Sequence, residues 1–159
     1  MDNQSLTHSA NYQFILSHPE TNNITFFVQG FTGLGFQFQE VNTPWFGQNV
    51  KRPGDVITFN NITLEVVMDE KFKALEDIHT IMKKSRDIYN GKNKIDWNNS
   101  YTGILNLISS KNNPVLQITF DKCWILDISD LTFDSKINED QPVITTISLV
   151  HDGYEIKRF

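Results

Sequence analysis

The sequence predicts a mainly β chain with one helix, an α+β arrangement in which antiparallel strands form a sandwich or partial barrel and the helix packs at one side. Three observations predict it. Apolar and polar residues alternate in about seven or eight separate stretches, the period of half-buried strands. A single stretch changes to the three-to-four-residue period of a helix. With 159 residues the chain is one domain long, and a chain of that size buries about 68–70% of its unfolded surface without help from disulfides or metal.

Tyr12, Phe14 and Leu16 share one face of a first strand over 12–16, and "SHPETNN" turns the chain. Residues 24–28 are a second strand rich in β-formers. Gly30, Gly33 and Gly35 punctuate the next stretch, and Phe36 and Phe38 alternate with Gln37 and Gln39 in a third strand. These glycines are not a phosphate loop, since neither a helical pattern nor a Lys-Ser/Thr pair comes after them. Residues 56–59 and 62–68 read as a hairpin around Asn60 and Asn61, residues that tolerate the positive φ of a tight turn. Ile62, Leu64, Val66 and Met68 share its dry face; Thr63, Glu65 and Val67 share the wetter one.

A helix is predicted over 70–87. Phe72, Leu75, Ile78, His79 and Met82 recur at its spacing, Asp69 suits the N-cap, and Lys83, Lys84 and Arg86 suit the C-terminal end of the dipole. His79 is expected to be packed. A polar loop runs through Ser100. Strands come next over 101–109 and 115–126, then an extended or turn-rich piece over 128–133, the polar loop "DSKINEDQP", a strand over 143–151 and a short one over 154–157. The domain organisation is a polar arm over 1–11 and a single domain over 12–159.

Composition narrows the function. Net charge is −5, and an acidic chain without a basic stripe binds nucleic acid poorly, because such affinity comes from neutralised phosphates. No apolar run approaches the ~20 residues of a membrane span, and the polar start lacks a secretion signal, so a soluble, cytoplasmic product is expected. Cys123, the lone cysteine, reads as a small core residue. His8, His18, His79 and His151 sit at no metal-ligand spacing. Asp127, Asp130, Asp134, Glu139 and Asp140 are spaced too irregularly for a calcium loop and read as an acidic edge. No Gly-x-Ser-x-Gly elbow is present. The expectation is a protein that is not an enzyme and carries no cofactor or metal.

The aromatics point elsewhere. Twelve Phe, four Tyr and three Trp exceed the needs of an ordinary core of this size. Trp45 and Phe46 lie between Pro44 and Gly47, where loop-borne aromatics serve as interface anchors. Lys51 and Arg52 come soon after and suit an acidic edge such as 127–134 of a neighbour. The rival is that both rings fold back onto their own domain.

The order "NYQFIL", a glycine-punctuated strand, "TPWFGQNVKRPGDVITFNNITLEVVMDE", an amphipathic helix, then "NPVLQITFDKCWILDISDLTFDSKINEDQPVITTISLV" and "YEI" resembles the tail-tube fold family of contractile-tailed bacteriophages. That family includes tube proteins, tube-initiating baseplate proteins and tail completion proteins, and is related to type VI secretion tube subunits. The resemblance implies a hexameric ring whose subunits contribute strands to one barrel closed across subunits around a lumen. It implies an inter-ring loop over 43–55, with Trp45, Phe46, Lys51, Arg52 and Asp55 as contacts. Thr63, Glu65, Thr146 and Ser148 become lumen-facing candidates, and the helix sits outside between neighbours. Like-folded tail proteins would stack on the ring, sheath or baseplate proteins would lie outside it, and genomic DNA would pass through without specific binding. The place implied is the virion tail, assembled in the host cytoplasm. Tube subunit, baseplate initiator and tail completion protein stay open within the family. A soluble β-sandwich module binding carbohydrate or peptide through Trp45, Phe46 and Trp97 is the alternative of another class.

Overall fold

The computed structural model describes residues 11–18, 21–69, 71–89, 101–109, 113–132 and 142–159. In chain order they form β1 (Asn11–His18), β2 (Thr21–Thr32), β3 (Phe36–Trp45), β4 (Gln48–Phe59), β5 (Ile62–Val67), α1 (Lys73–Tyr89), β6 (Tyr101–Ile108), β7 (Pro114–Ile128), β8 (Ile144–Val150) and β9 (Gly153–Arg158). The alternating residues become antiparallel strands and the lone helical period becomes α1, so the mainly β, one-helix class stands.

Six strands close on themselves. They pair in the order β6-β1-β2-β5-β8-β7, and β7 pairs back to β6. Two long strands turn the corners. The early part of β2 pairs with β1 up to Val28, and its end pairs with β5. The first half of β7 lies between β6 and β9, and its second half passes to β8. Lys122 marks the bend with φ 52°, a conformation that costs an L-residue energy. Closure is therefore reached inside one chain, where the sequence reading left it to sister copies. Alternation shows which face of a strand is dry, but not that a 15-residue strand is long enough to take β6 and β9 along its first half and β8 along its second.

The interior holds Phe14, Leu16, Phe26, Ile62, Leu64, Val66, Leu105, Ile118, Phe120, Ile147 and Leu149, all essentially inaccessible. Cys123 joins them as a core residue, where burial pushes its thiol up from 9.0 to about 12. The folded state thus binds the thiol proton more tightly than the unfolded chain. Stability from this group is fully present below pH ~9 and is lost as pH rises toward 12. A thiol reagent at pH 8 should leave native Cys123 unmodified and titrate it once denaturant unfolds the barrel.

Helix α1 seats Ile78 and Ile81 in the core, with Phe72, Leu75 and Met82 half-buried around them. His79, expected to be packed, is exposed. The buried stripe runs through 75, 78 and 81–82, and His79 lies one step of 100° off its centre. The helix starts three residues later than predicted. Phe72 takes φ 51° and interrupts the first turn, while the Lys73 N–H donates to the Asp69 carboxylate at 2.9 Å.

The predicted hairpin around Asn60 and Asn61 is not one. β4 pairs with β3, whereas β5 pairs with β2 and β8. β2–β3 and β4–β5 are the two arms of one long hairpin, from Val28↔Val66 to Trp45↔Gln48. Residues 33–35 and 60–61 form the joint where it leaves the barrel. There Gly33 takes φ 122°, a region glycine enters freely.

Candidate assembly surface

Beyond the joint, β3 and β4 pair only with each other. At ~3.3 Å per residue the ten residues of β3 carry the ribbon about 33 Å outward. The inter-ring loop expected over 43–55 is therefore mostly strand; its turn is Phe46 and Gly47, with φ 45° and 78°, the two positive values of a type I′ turn. Pro44 and Pro53 did suggest a loop, but each strand has a free edge where a missing N–H costs no ladder bond. Residues 54–56 bulge opposite Gln39, between Phe38↔Ile57 and Glu40↔Pro53.

The bulge divides the ribbon chemically. On the joint side, Phe36, Phe38, Ile57 and Phe59 share a face by register. Ring centroids step from Phe38 to Phe36 at 6.5 Å, to Phe59 at 6.1 Å, to Tyr154 at 5.8 Å and to buried Phe120 at 5.8 Å. Tyr154 Oη donates to the Leu34 carbonyl at 2.8 Å, and His151 Nε2 lies 3.1 Å from the Asn60 carbonyl. Both strands of the joint are thus held by side chains from the β8–β9 corner.

Past the bulge, the apolar side changes. Val41, Thr43 and Trp45 face Arg52, Val50 and Gln48 on one side. The other side carries Asn42, Pro44 and Asn49, with Lys51 Nζ 3.0 Å from Glu40 Oε1. Lys51 is satisfied within its own ribbon. Arg52 has no ion-pair partner among the described residues and stands on the apolar side. At the tip Trp45 and Phe46 meet edge-on at 5.3 Å and are 62% and 92% exposed. They do not fold back onto the barrel. Trp45→Ala should therefore leave folding stability within about 0.5 kcal/mol, read as an unchanged thermal midpoint.

A second surface lies on the outer face of β5 and β8. The structure brings all four lumen candidates together there as two cross-strand pairs, Thr63↔Ser148 and Glu65↔Thr146. Glu65 lies across Gly30, where an added Cβ would sit 2.7 Å from its Oε2. Sequence reasoning missed Asp127 in this row. It pairs with Ser148 after a bulge between Ile125 and Asp127 that shifts the alternation, so counting by twos does not place it. The face is not polar throughout: Trp124, beside Val150, and Leu126 are exposed at its β7 end. Asp55 lies in the ribbon bulge and Asp130 comes just after β7, both exposed. Trp97, Asp134, Glu139 and Asp140 lie outside the described residues. Among the described residues no three His, Cys, Asp or Glu are grouped to hold a metal, and no helix is long and apolar enough to cross a membrane.

No family model matches the chain. It is 22% identical over 152 residues to the tail tube terminator protein of Enterobacteria phage T4, covering 91% of this chain and 86% of that protein. A chain of the anti-feeding prophage baseplate superposes with a TM-score of 0.70 at 12% identity, covering 99% of this chain and 98% of that one. A chain of that prophage's tube-terminating cap superposes at 0.62 with 17% identity, covering 92% and 88%. The chain has the tail-tube fold. In this chain the sealed barrel is the body of that fold and the ribbon projects from it.

Proposed function

We propose that the protein is a structural subunit at an end of a contractile phage tail tube, forming a hexameric ring around a DNA-conducting lumen. The observation that carries this reading is the ribbon. A stable barrel has no need of an arm about 33 Å long that ends in bare Trp45 and Phe46; such an arm is built to be buried by another protein. The likeness to the phage T4 terminator over 91% of the chain favours the tail completion role over a repeating tube subunit or a baseplate initiator. Trp45, Phe46 and Arg52 then contact neighbouring tail proteins, and sheath or baseplate proteins lie outside the ring. Thr63, Glu65, Thr146 and Ser148 face the lumen. The Glu65 carboxylate of each subunit on that wall repels a polyanion, so DNA slides without adhering. The work is done by geometry and assembly, in the virion tail, with no chemical step.

The test is assembly. Sedimentation of the purified protein, with electron microscopy, should give discrete rings that bind tube ends and stop their growth. A chain that stays monomeric at high concentration and ignores tubes would refute the reading.

A further inference from the structure

The ring needs an interface, and this chain carries two patches that answer each other. The first is the apolar side of the outer ribbon: Val41, Val50 and Trp45, with Arg52 beside them. The second is the end of β7: Trp124 and Leu126, 43% and 45% exposed, with Asp127 and Asp130 next along the chain. We infer that the ribbon of one copy docks on the β7 end of a second copy, with Arg52 meeting Asp127 and Asp130. This rests on the ring proposed above and names its contact.

Charge selects the second copy as occupant. Arg52 is a cation without an ion-pair partner among the described residues, and Asp127 and Asp130 are exposed carboxylates equally without one. Like patches do not suit each other, because two ribbons would bring Arg52 against Arg52 and two β7 ends would bring carboxylate against carboxylate. The contact is therefore heterologous, tip to patch, the kind that closes a ring when the rotation fits.

Backbone geometry agrees. β3 and β4 each have a free edge. β6 stops at Tyr101↔Cys123, so residues 124–128 pair with β8 alone among the described strands. Unpaired edges bearing apolar side chains associate unless covered. Docking also accounts for the uneven outer face. It covers Trp124 and Leu126 and leaves Thr63, Glu65, Thr146 and Ser148 as the surface a polar lumen requires.

A mixing experiment tests this. A tip variant, Trp45→Ser with Phe46→Ser, and a patch variant, Trp124→Ser with Leu126→Ser, are each examined by sedimentation beside the wild type. Circular dichroism checks that both are folded. Each variant alone should be monomeric where the wild type forms rings. Their equimolar mixture should give one-to-one heterodimers and nothing larger, because one intact tip meets one intact patch. Either variant forming wild-type rings would overturn the contact while leaving the ring reading in place; so would two monomeric variants that fail to pair. A monomeric wild type would overturn both. Should the patch variant misfold, the charge pair decides. Arg52→Glu and Asp127→Lys should each raise the ring-forming concentration about tenfold or more, and the two together should return it to within about threefold of wild type. Single changes without effect, or a double change no better than the singles, would overturn the proposal.

Discussion

Leu64→Asp is expected to leave no folded protein. Leu64 is fully buried in β5, paired with Phe31 of β2 on one side and Ile147 of β8 on the other. An ionised carboxylate there loses water and gains no cation, an effective cost of several kcal/mol. A domain of this kind has about 5–15 kcal/mol in all, and lost packing adds about 2–5 kcal/mol. Far-ultraviolet circular dichroism and a thermal melt should show no cooperative transition. Thr63→Asp, one residue away on the outer face, should fold with a midpoint close to wild type. A cooperative melt from Leu64→Asp would mean that β5 presents the other face to the barrel, and the lumen assignment would fall with it.

That contrast shows what was legible in the sequence. The dry and wetter faces of β5 came from simple alternation, whereas Thr146 and Ser148 were singled out by the resemblance, and strand pairing sets them opposite Glu65 and Thr63. Lone ring residues were less legible. His79 fits a three-to-four-residue series as well as Ile81 does, and only the packing of α1 decides between them. Pairing was the least legible. Asn60 and Asn61 have turn chemistry, yet the turn lies at Phe46 and Gly47, where a phenylalanine occupies a position usually held by asparagine. The loop-like composition of 43–55, with two prolines and two glycines, concealed a ribbon whose edges are both free. Trp45 and Phe46 do point outward, but Lys51 is not free to reach a neighbour's acidic edge, because its partner Glu40 is eleven residues away and adjacent only once β3 and β4 pair. The bulge at Leu126 shifts the alternation by a residue and moves Asp127 to the outer face, whereas the ribbon's apolar side changes in the sequence itself, from Phe36 and Phe38 to Val41 and Trp45.

The second large effect is expected at the joint. Gly33 has φ 122°, and a Cβ there would strike the Asn61 carbonyl oxygen and sit 2.8 Å from Ile62 Cα. Both obstacles are backbone, so neither can rotate away. Gly33→Ala should cost about 3 kcal/mol or more, the conformational penalty adding to the steric one. Gly47, at the ribbon tip, is the control. Its φ is 78°, but nothing lies within 4 Å of an added Cβ, so Gly47→Ala should cost only the conformational part, about 1–2 kcal/mol. The two differ in place as well as size. Phe59, His151 and Tyr154 sit beside the joint, with centroids 5.6–6.0 Å apart. Gly33→Ala should therefore change the near-ultraviolet dichroism of the folded protein, as the joint opens and Tyr154 loses the Leu34 carbonyl. Gly47→Ala should leave the joint's aromatic signal as it is. Equal destabilisation by the two substitutions would show that the joint is not a tightly packed hinge, and that the ribbon's angle to the barrel is set elsewhere.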